Sequence, residues 1–344
     1  MFTFLPITLL LYYVSPRILK NSVLLIASLI FYAWGEPIYV FLMMGTIIVD
    51  YLLAILIDKN RHEEGKCKSI FILTIILNVS ILGFFKYFGF FVDNINSIFH
   101  LNIPFEGLAL PIGISFYTFQ VLSYIVDVYL GKVEVQYNII NFAAYVTMFP
   151  QLVAGPIVQY QTIEDQLNTR QESIVKFGEG VERFIQGLGK KVLLANNIGM
   201  LWTTVSAMDT SSISVLTAWL GIIAYTFQIY FDFSAYSDMA IGLGKMFGFE
   251  FMENFNYPYI SKSVTEFWRR WHISLGTWFR EYIYIPLGGN RVSVPKQVRN
   301  IFVVWSLTGF WHGANWNFII WGLYYGILLI FEKFVLFKYL YLLF

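Results

Sequence analysis

The chain has 344 residues, of which 57% are hydrophobic and 13% are charged, whereas a soluble domain averages about a quarter charged residues. This composition predicts an integral membrane protein. The 23 basic and 22 acidic residues give a net charge of +1, so the chain lacks the basic excess that indicates a nucleic-acid partner. The single cysteine, Cys67, excludes an internal disulfide framework and a thiolate metal cluster.

Uninterrupted apolar runs mark the candidate membrane spans, because one crossing needs roughly 20 apolar residues. They lie at residues 2–15, 21–35, 37–57, 70–92, 108–130, 137–153, 211–231 and 300–331. The first two are short, so they are expected to tilt, re-enter or pack as a hairpin. The pattern predicts an all-α membrane protein, a multi-helix transmembrane bundle in one polytopic domain over residues 1–344.

Charge placement predicts an orientation for the first half of the chain. Four basic residues crowd one short loop, namely Lys59, Arg61, Lys66 and Lys68. The loop at 93–107 has no lysine or arginine. Because positive charge accumulates in cytoplasmic loops, the first loop is predicted to be cytoplasmic and the second external. Lys86, toward the outer end of its span, is at odds with this orientation.

The segment after residue 153 is amphipathic rather than uniformly apolar. Its apolar residues fall on one side of a helix: Phe177, Val181, Phe184, Ile185 and Leu188. This pattern predicts a helix lying at the cytoplasmic interface. The alternative is an ordinary amphipathic connector packed on the bundle.

Polar and flexible residues accumulate between residues 230 and 299. Asp232 ends an apolar run and is costly to leave unpaired in lipid, so it either forms an ion pair or helix cap or takes part in substrate binding. Nearby glycines permit close helix approach; they are Gly242, Gly244 and Gly248. Residues 250–299 contain three prolines, and are predicted to form short re-entrant helices and loops that line a cavity.

His312 lies in the segment GFWHGANW, inside an apolar run. Histidine exchanges protons near neutral pH, so a buried His312 is a candidate catalytic base toward a hydroxyl group. Asn315, three residues on and predicted to lie on the same helical face, is a candidate to orient the ring or to bind an oxyanion. A core histidine bonded to a backbone carbonyl is the structural alternative.

His272 is the second candidate catalytic residue, in a helical segment predicted to begin at an N-cap Thr265. It directly follows three candidate substrate-binding residues, Arg269, Arg270 and Trp271. The arginines suit the phosphates of a nucleotide-bearing donor, although they can equally snorkel to the interface or pair with nearby glutamates. The two histidines lie 40 residues apart with no carboxylate at metal-site spacing, so no metal site is predicted.

Five segments carry a likeness to a known family: PIGISFYTFQVLSYIVDVY (111–129), MFPQLVAGPI (148–157), YFDFSAYSDMAIGLG (230–244), WRRWHISLGTWFREYIYIPLGGNR (268–291) and GFWHGANWNFIIWG (309–322). Together they resemble the membrane-bound O-acyltransferases, and most closely their bacterial branch. That branch includes alginate O-acetyltransferases, peptidoglycan O-acetyltransferases and D-alanine exporters of teichoic acid. The likeness spans nearly the whole chain in family order.

The resemblance implies a bundle of about ten or more helices around a central funnel or tunnel, in a bacterial inner membrane. By this likeness His312 matches the family's catalytic histidine, and His272 matches an upstream polar position. The acyl donor is expected to be a cytosolic thioester, acetyl-CoA or an acyl-carrier protein, with no bound cofactor. The expected acceptor is an extracytoplasmic polysaccharide hydroxyl or a secreted or membrane-anchored acetyltransferase partner.

The leading hypothesis from the sequence is therefore an O-acetyltransferase that acts on a cell-surface polysaccharide. D-alanyl transfer to teichoic acid through a carrier protein is one alternative. A transporter or export conduit, in which the histidines relay protons, is another, and a non-catalytic scaffold is a third. Bacterial relatives usually continue past the His312 helix with further spans, so the chain is expected to be truncated at its C-terminus.

Overall fold

The computed structural model describes residues 3–105, 107–153, 155–211 and 213–336. Within these ranges the chain forms fourteen α-helices, three π-helical segments and one 3₁₀ turn, and no β-sheet. The prediction of an all-α membrane protein is confirmed.

Six helices occupy the first 150 residues: α1 (Phe4–Val14), α2 (Arg17–Gly35), α3 (Tyr39–Lys59), α4 (Glu64–Phe99), α5 (Ile114–Tyr129) and α6 (Ile139–Thr147). Ser15 and Pro16 join α1 to α2, and the two helices pack against each other as the hairpin alternative predicted. Helix α5 starts six residues after the beginning of its apolar run. It starts there because Gly113, just before it, has a positive φ of 76°, which an α-helix does not accommodate.

Eight helices follow: α7 (Tyr160–Thr169), α8 (Ile174–Gly189), α9 (Asn196–Ser206), α10 (Val215–Met246), α11 (Val264–Arg270), α12 (Ile273–Phe279), α13 (Val294–His312) and α14 (Trp316–Phe331). The prediction of one span over 300–331 is wrong, because this run forms both α13 and α14. Helix α13 ends at His312 since the backbone of Gly313 is extended, with φ −176° and ψ 151°.

Among the described residues, five helices are long and apolar enough to cross a membrane: Arg17–Gly35, Tyr39–Lys59, Glu64–Phe99, Val215–Met246 and Trp316–Leu336. The first four correspond to runs that the sequence marked as spans. Helices α5 and α6 have 16 and 9 residues, fewer than the roughly 20 of a full crossing. The predicted spans at 108–130 and 137–153 are therefore shorter helices within the bundle.

The prediction of short helices and loops over 250–299 is confirmed. Between α10 and α13 the chain makes a 3₁₀ turn, the seven-residue helices α11 and α12, and a π-helical segment. The predicted N-cap of α11 was wrong by two residues. Ser263 caps the helix by accepting the N–H of Glu266 at 3.0 Å. The N–H of Thr265 instead donates to the carboxylate of Glu332 at 3.1 Å.

Helix α8 packs closely along α10, and two pairs of small residues allow this approach. A Cβ atom on Gly180 would lie 2.6 Å from the carbonyl oxygen of Gly242, and a Cβ on Gly242 would lie 2.6 Å from that of Gly180. About two helical turns further along, a Cβ on Gly187 would lie 2.7 Å from the carbonyl oxygen of Ala235. The amphipathic segment therefore packs on the bundle, and the predicted close approach at Gly242 is confirmed. Its position at the cytoplasmic interface stays a prediction.

Ion pairs join α10 to α8 and to the π-helical segment Lys190–Ala195, which directly follows α8. Asp238 is buried and accepts hydrogen bonds from Arg183 Nε at 2.8 Å and Lys190 Nζ at 2.5 Å. Asp232 pairs with Lys191 at 2.5 Å and is about half exposed. A buried carboxylate without a cation is expensive, so the basic face of the amphipathic segment compensates the acidic residues of α10.

We expect the substitution Gly242→Ala to lower the apparent Tm of the detergent-solubilised protein. The added methyl group meets the backbone of Gly180, and overpacking of this kind costs about 1–3 kcal/mol. The matched control is Gly178→Ala on α8, where an added Cβ has no atom within 4 Å. That control should keep or raise the Tm, because alanine favours helix over glycine by about 1 kcal/mol. Equal Tm values for Gly242→Ala and the wild type would rule out the described contact.

Candidate active site

His272 precedes α12 and has an uncommon backbone conformation. Its φ of 47° and ψ of 53° lie in the left-handed region, which residues other than glycine seldom adopt. Such a conformation costs on the order of 1–3 kcal/mol and persists only where the surroundings hold it. Trp271, just before it, forms an isolated antiparallel bridge with Phe255. The His272 side chain is buried, with 4% of its surface exposed.

Asn254 fixes the His272 ring and its tautomer. Its Oδ1 lies 3.1 Å from Nδ1 of His272, and it also accepts the backbone N–H of Ser274 at 3.2 Å. A backbone N–H can only donate, so the Asn254 atom that faces both groups is the oxygen. Nδ1 of His272 must then be the donor, and Nε2 keeps its lone pair. Asn254 Nδ2 donates in turn to Ser237 Oγ of α10 at 2.9 Å.

His312 is the last residue of α13, and α4 supports that end of the helix. Tyr87 donates its hydroxyl to the carbonyl oxygen of Phe310 at 2.9 Å, and the two rings stack with centroids 3.9 Å apart. The preceding residue, Lys86, donates to the carbonyl oxygen of Trp311. The last carbonyl groups of a helix have no partner within it, so two consecutive residues of α4 supply their hydrogen bonds.

Asn315 does not share a helical face with His312, so this prediction was wrong. It assumed a continuous helix, whereas the chain leaves the helix at Gly313. Asn315 is the N-cap of α14, and its Oδ1 accepts the N–H of Asn317 at 2.9 Å. Its side chain is exposed. This hydrogen bond makes Asn315 a helix cap, and its role in substrate binding stays a prediction.

One cavity of about 420 Å³ brings the two histidines together. His272 and His312 both line it, although 40 residues separate them in the sequence. Phe233 packs edge-on against the His272 ring at 4.7 Å, and Trp311 lies 5.0 Å from the His312 ring. Lys86 and residues 110–116 complete the lining. Two groups capable of proton transfer therefore share one space.

The predicted arginines lie outside this cavity lining. Arg270 pairs with Glu266 at 2.9 Å and donates to the carbonyl oxygen of Asn256 at 3.0 Å. Hydrogen bonds from the Lys262 N–H and from Arg270 hold the pKa of Glu266 below its usual range. Arg269 is exposed on the same short helix. The ion-pair alternative is thus the observed arrangement for Arg270, and phosphate binding by either arginine stays a prediction.

Trp271 and Asp232 also lie outside the cavity lining and have structural contacts. Trp271 packs edge-on against Phe255 with centroids 5.1 Å apart and stacks on Phe267 at 5.6 Å. Asp232 forms the ion pair with Lys191 already described. These contacts account for both side chains without a ligand, and their assignment to substrate binding stays a prediction.

Two residues were not predicted as site residues, namely Lys86, which lines the cavity, and Asn254, which binds the His272 ring. Lys86 is the single charged residue in an otherwise apolar run, and this isolated charge is the signal that could have identified it. The sequence analysis used Lys86 only to judge the orientation of the span. Asn254 lies in a loop segment, ENFNYP, where asparagine is usual because it favours turns. No local pattern distinguishes it from a turn residue.

The fold and the cavity define a polytopic helical membrane protein in which two histidines, one buried and one half-buried, line one pocket. A family model described as MBOAT, membrane-bound O-acyltransferase family, matches residues 129–339. The chain belongs to this family, as its resemblance in sequence predicted.

Curated relatives agree with this assignment. The chain is 48% identical over 338 residues to a probable alginate O-acetylase of Pseudomonas aeruginosa, which covers 97% of this chain and 64% of that protein. It is 38% identical to a peptidoglycan O-acetyltransferase of Helicobacter pylori, over 95% of this chain and 68% of the relative. A teichoic acid D-alanyltransferase of Bacillus subtilis is 30% identical over 66% of this chain and 60% of the relative. The chain thus spans about two thirds of the length of these relatives.

We expect ¹⁵N NMR of histidine-labelled protein to show His272 as the neutral tautomer with a proton on Nδ1. In the variant Asn254→Leu this preference should be lost, because Nδ1 and the Ser274 N–H lose their shared acceptor. Each buried donor left unpaired costs about 1–3 kcal/mol, so the Tm should fall as well. The variant His272→Gln identifies the signal among the four histidines. An unchanged tautomer in Asn254→Leu would contradict the assigned hydrogen bond.

Proposed function

We propose that this protein is an O-acyltransferase that moves an acetyl group from a cytosolic thioester to an extracytoplasmic hydroxyl group. The observation that carries the proposal is the single cavity lined by both His272 and His312. Membership of the membrane-bound O-acyltransferase family supports it. The names of the relatives, an alginate O-acetylase and a peptidoglycan O-acetyltransferase, support the acetyl group and a cell-surface polysaccharide as acceptor.

In this mechanism His312 is the general base. The acceptor hydroxyl oxygen bonds to the thioester carbonyl carbon while its proton passes to His312. The carbonyl π electrons move onto oxygen, which becomes an oxyanion. Collapse of this tetrahedral intermediate breaks the carbon–sulfur bond, and the departing thiolate takes the proton from His312. The products are the acetyl ester and the free thiol, and the base is regenerated.

His272 complements His312 through its tautomer. Nδ1 is engaged with Asn254, so Nε2 is the ring nitrogen that remains for a ligand in the cavity. With its lone pair, Nε2 accepts a hydrogen bond and cannot donate one to an oxyanion. We therefore assign His272 to orienting the acceptor by accepting a hydrogen bond from a second hydroxyl group of the polysaccharide, and His312 to removing the proton of the attacking hydroxyl.

Acetyl-CoA is the proposed donor and the bacterial inner membrane the proposed location. A secreted or membrane-anchored acetyltransferase is the proposed partner that receives or passes on the group.

Sequence identity to the relatives favours acetyl over D-alanyl transfer. Five probable alginate O-acetylases are 44–48% identical over 97% of this chain. The teichoic acid D-alanyltransferases are 28–30% identical over 63–66% of it.

We expect His312→Ala to reduce acetyl transfer by at least about 100-fold, the usual effect of removing a general base. Membranes that contain the full-length protein and its export partner would be incubated with radiolabelled acetyl-CoA, and the label in the acceptor would be counted. The control is His62→Ala, which changes an exposed loop histidine between α3 and α4. It should transfer label at the wild-type rate. Full transfer by His312→Ala would rule out this mechanism.

The same membranes distinguish the donors. We expect label to move from acetyl-CoA and not from a D-alanyl carrier protein. Label from the carrier protein alone would replace the acetyl proposal by D-alanyl transfer. Movement of polysaccharide into proteoliposomes without any acyl donor would instead support an export conduit.

A further inference from the structure

Lys86 is the lysine among the residues that line the histidine cavity, which include no arginine and no carboxylate. Its Nζ donates to the hydroxyl of Ser115 at 3.0 Å and to the carbonyl oxygen of Trp311. Both acceptors are neutral, and Lys86 takes part in none of the ion pairs among the described residues. An ammonium group without a counter-ion is costly at membrane depth, and such residues usually serve function.

The cavity wall also holds a hydrogen-bond donor that no protein group uses. An ammonium group has three N–H donors, so one remains on Lys86 after the two bonds described. Lys86 lines the cavity, so an oxygen atom of a ligand there would satisfy this donor.

The first turn of α5 adds positive potential to the same wall. Residues 113–116 line the cavity, and α5 is 16 residues long. The N-terminal end of a helix carries a partial positive charge and N–H groups that lack partners within the helix. Here the N–H groups of Ile114, Phe116 and Tyr117 bond to nearby carbonyl oxygens. No acceptor for the N–H of Ser115 is found in the described part of the chain.

We infer that Lys86 and the first turn of α5 form an anion site that holds the carbonyl oxygen of the acyl donor. When the acceptor hydroxyl attacks, this oxygen becomes negative, and the fixed cation and N–H groups stabilise it without reorganisation. His312 lines the same cavity and removes the proton of the attacking hydroxyl, while His272 orients the acceptor. The inference rests on the proposed acyl transfer and names the residues that bind its oxyanion.

We test the site with Lys86→Met and Lys86→Arg in the acetyl-transfer assay. Loss of one oxyanion donor typically lowers kcat by about 10²–10³-fold. We expect Lys86→Met to show this loss with KM changed less than about threefold, because the charge acts mainly in the transition state. Lys86→Arg restores the cation and should recover at least tenfold of the lost kcat. If the kcat of Lys86→Arg is as low as that of Lys86→Met, the positive charge at this position does not stabilise the oxyanion and the inference is overturned.

Lys86→Gln separates a charge role from a helix-cap role, because it keeps N–H donors for the end of α13 but carries no charge. It should lower kcat by at least about tenfold, as Lys86→Met does. Wild-type kcat in Lys86→Gln would make Lys86 a helix cap and overturn the inference. Wild-type membranes and His312→Ala are measured alongside. Absence of wild-type transfer refutes the proposed function, whereas wild-type transfer with full activity in Lys86→Met refutes only the anion site.

Discussion

The contact between α4 and the end of α13 determines where His312 lies. Inside a membrane domain, water does not satisfy the free carbonyl groups at a helix end, so other protein groups must do so. Lys86 and Tyr87 supply these hydrogen bonds on the α13 side of the helix break at Gly313. On the other side, the indole N–H of Trp316 donates to Asn94 Oδ1 of α4 at 2.9 Å. Helix α4 therefore binds both the end of α13, where His312 lies, and the start of α14.

The two histidines are positioned by different physical means. His272 is fixed by directional hydrogen bonds, since Asn254 binds both its ring and the start of α12. His312 has no such ring partner among the described residues, and its position follows from the backbone. Helices α13 and α14 meet at Gly309 and Gly322, where an added Cβ on either would contact the backbone of the other helix. A polar network thus sets one ring and close helix packing sets the other.

Composition and periodicity were sufficient for part of this architecture. The long runs that became α3, α4 and α10 were predicted because about twenty apolar residues rarely do anything but cross a membrane. The break at Gly313 was missed, because hydropathy does not report backbone direction, and the placement of Asn315 failed with it. Both histidines were candidate site residues from their place in the sequence, and the family likeness matched the same two positions. Their meeting in one cavity, and the roles of Lys86 and Asn254, depend on contacts between distant segments that no local pattern encodes.

The length of α4 has a consequence for how this chain tolerates change. Its 36 residues form a rod of about 54 Å, longer than the roughly 30 Å hydrocarbon core. Each residue inserted ahead of Lys86 would turn everything beyond it by about 100° and advance it by about 1.5 Å. The ammonium group and the Tyr87 hydroxyl would then face away from α13. The distance in sequence from the basic loop to the cavity is therefore fixed by helical geometry, and insertions and deletions should be confined to the connecting loops.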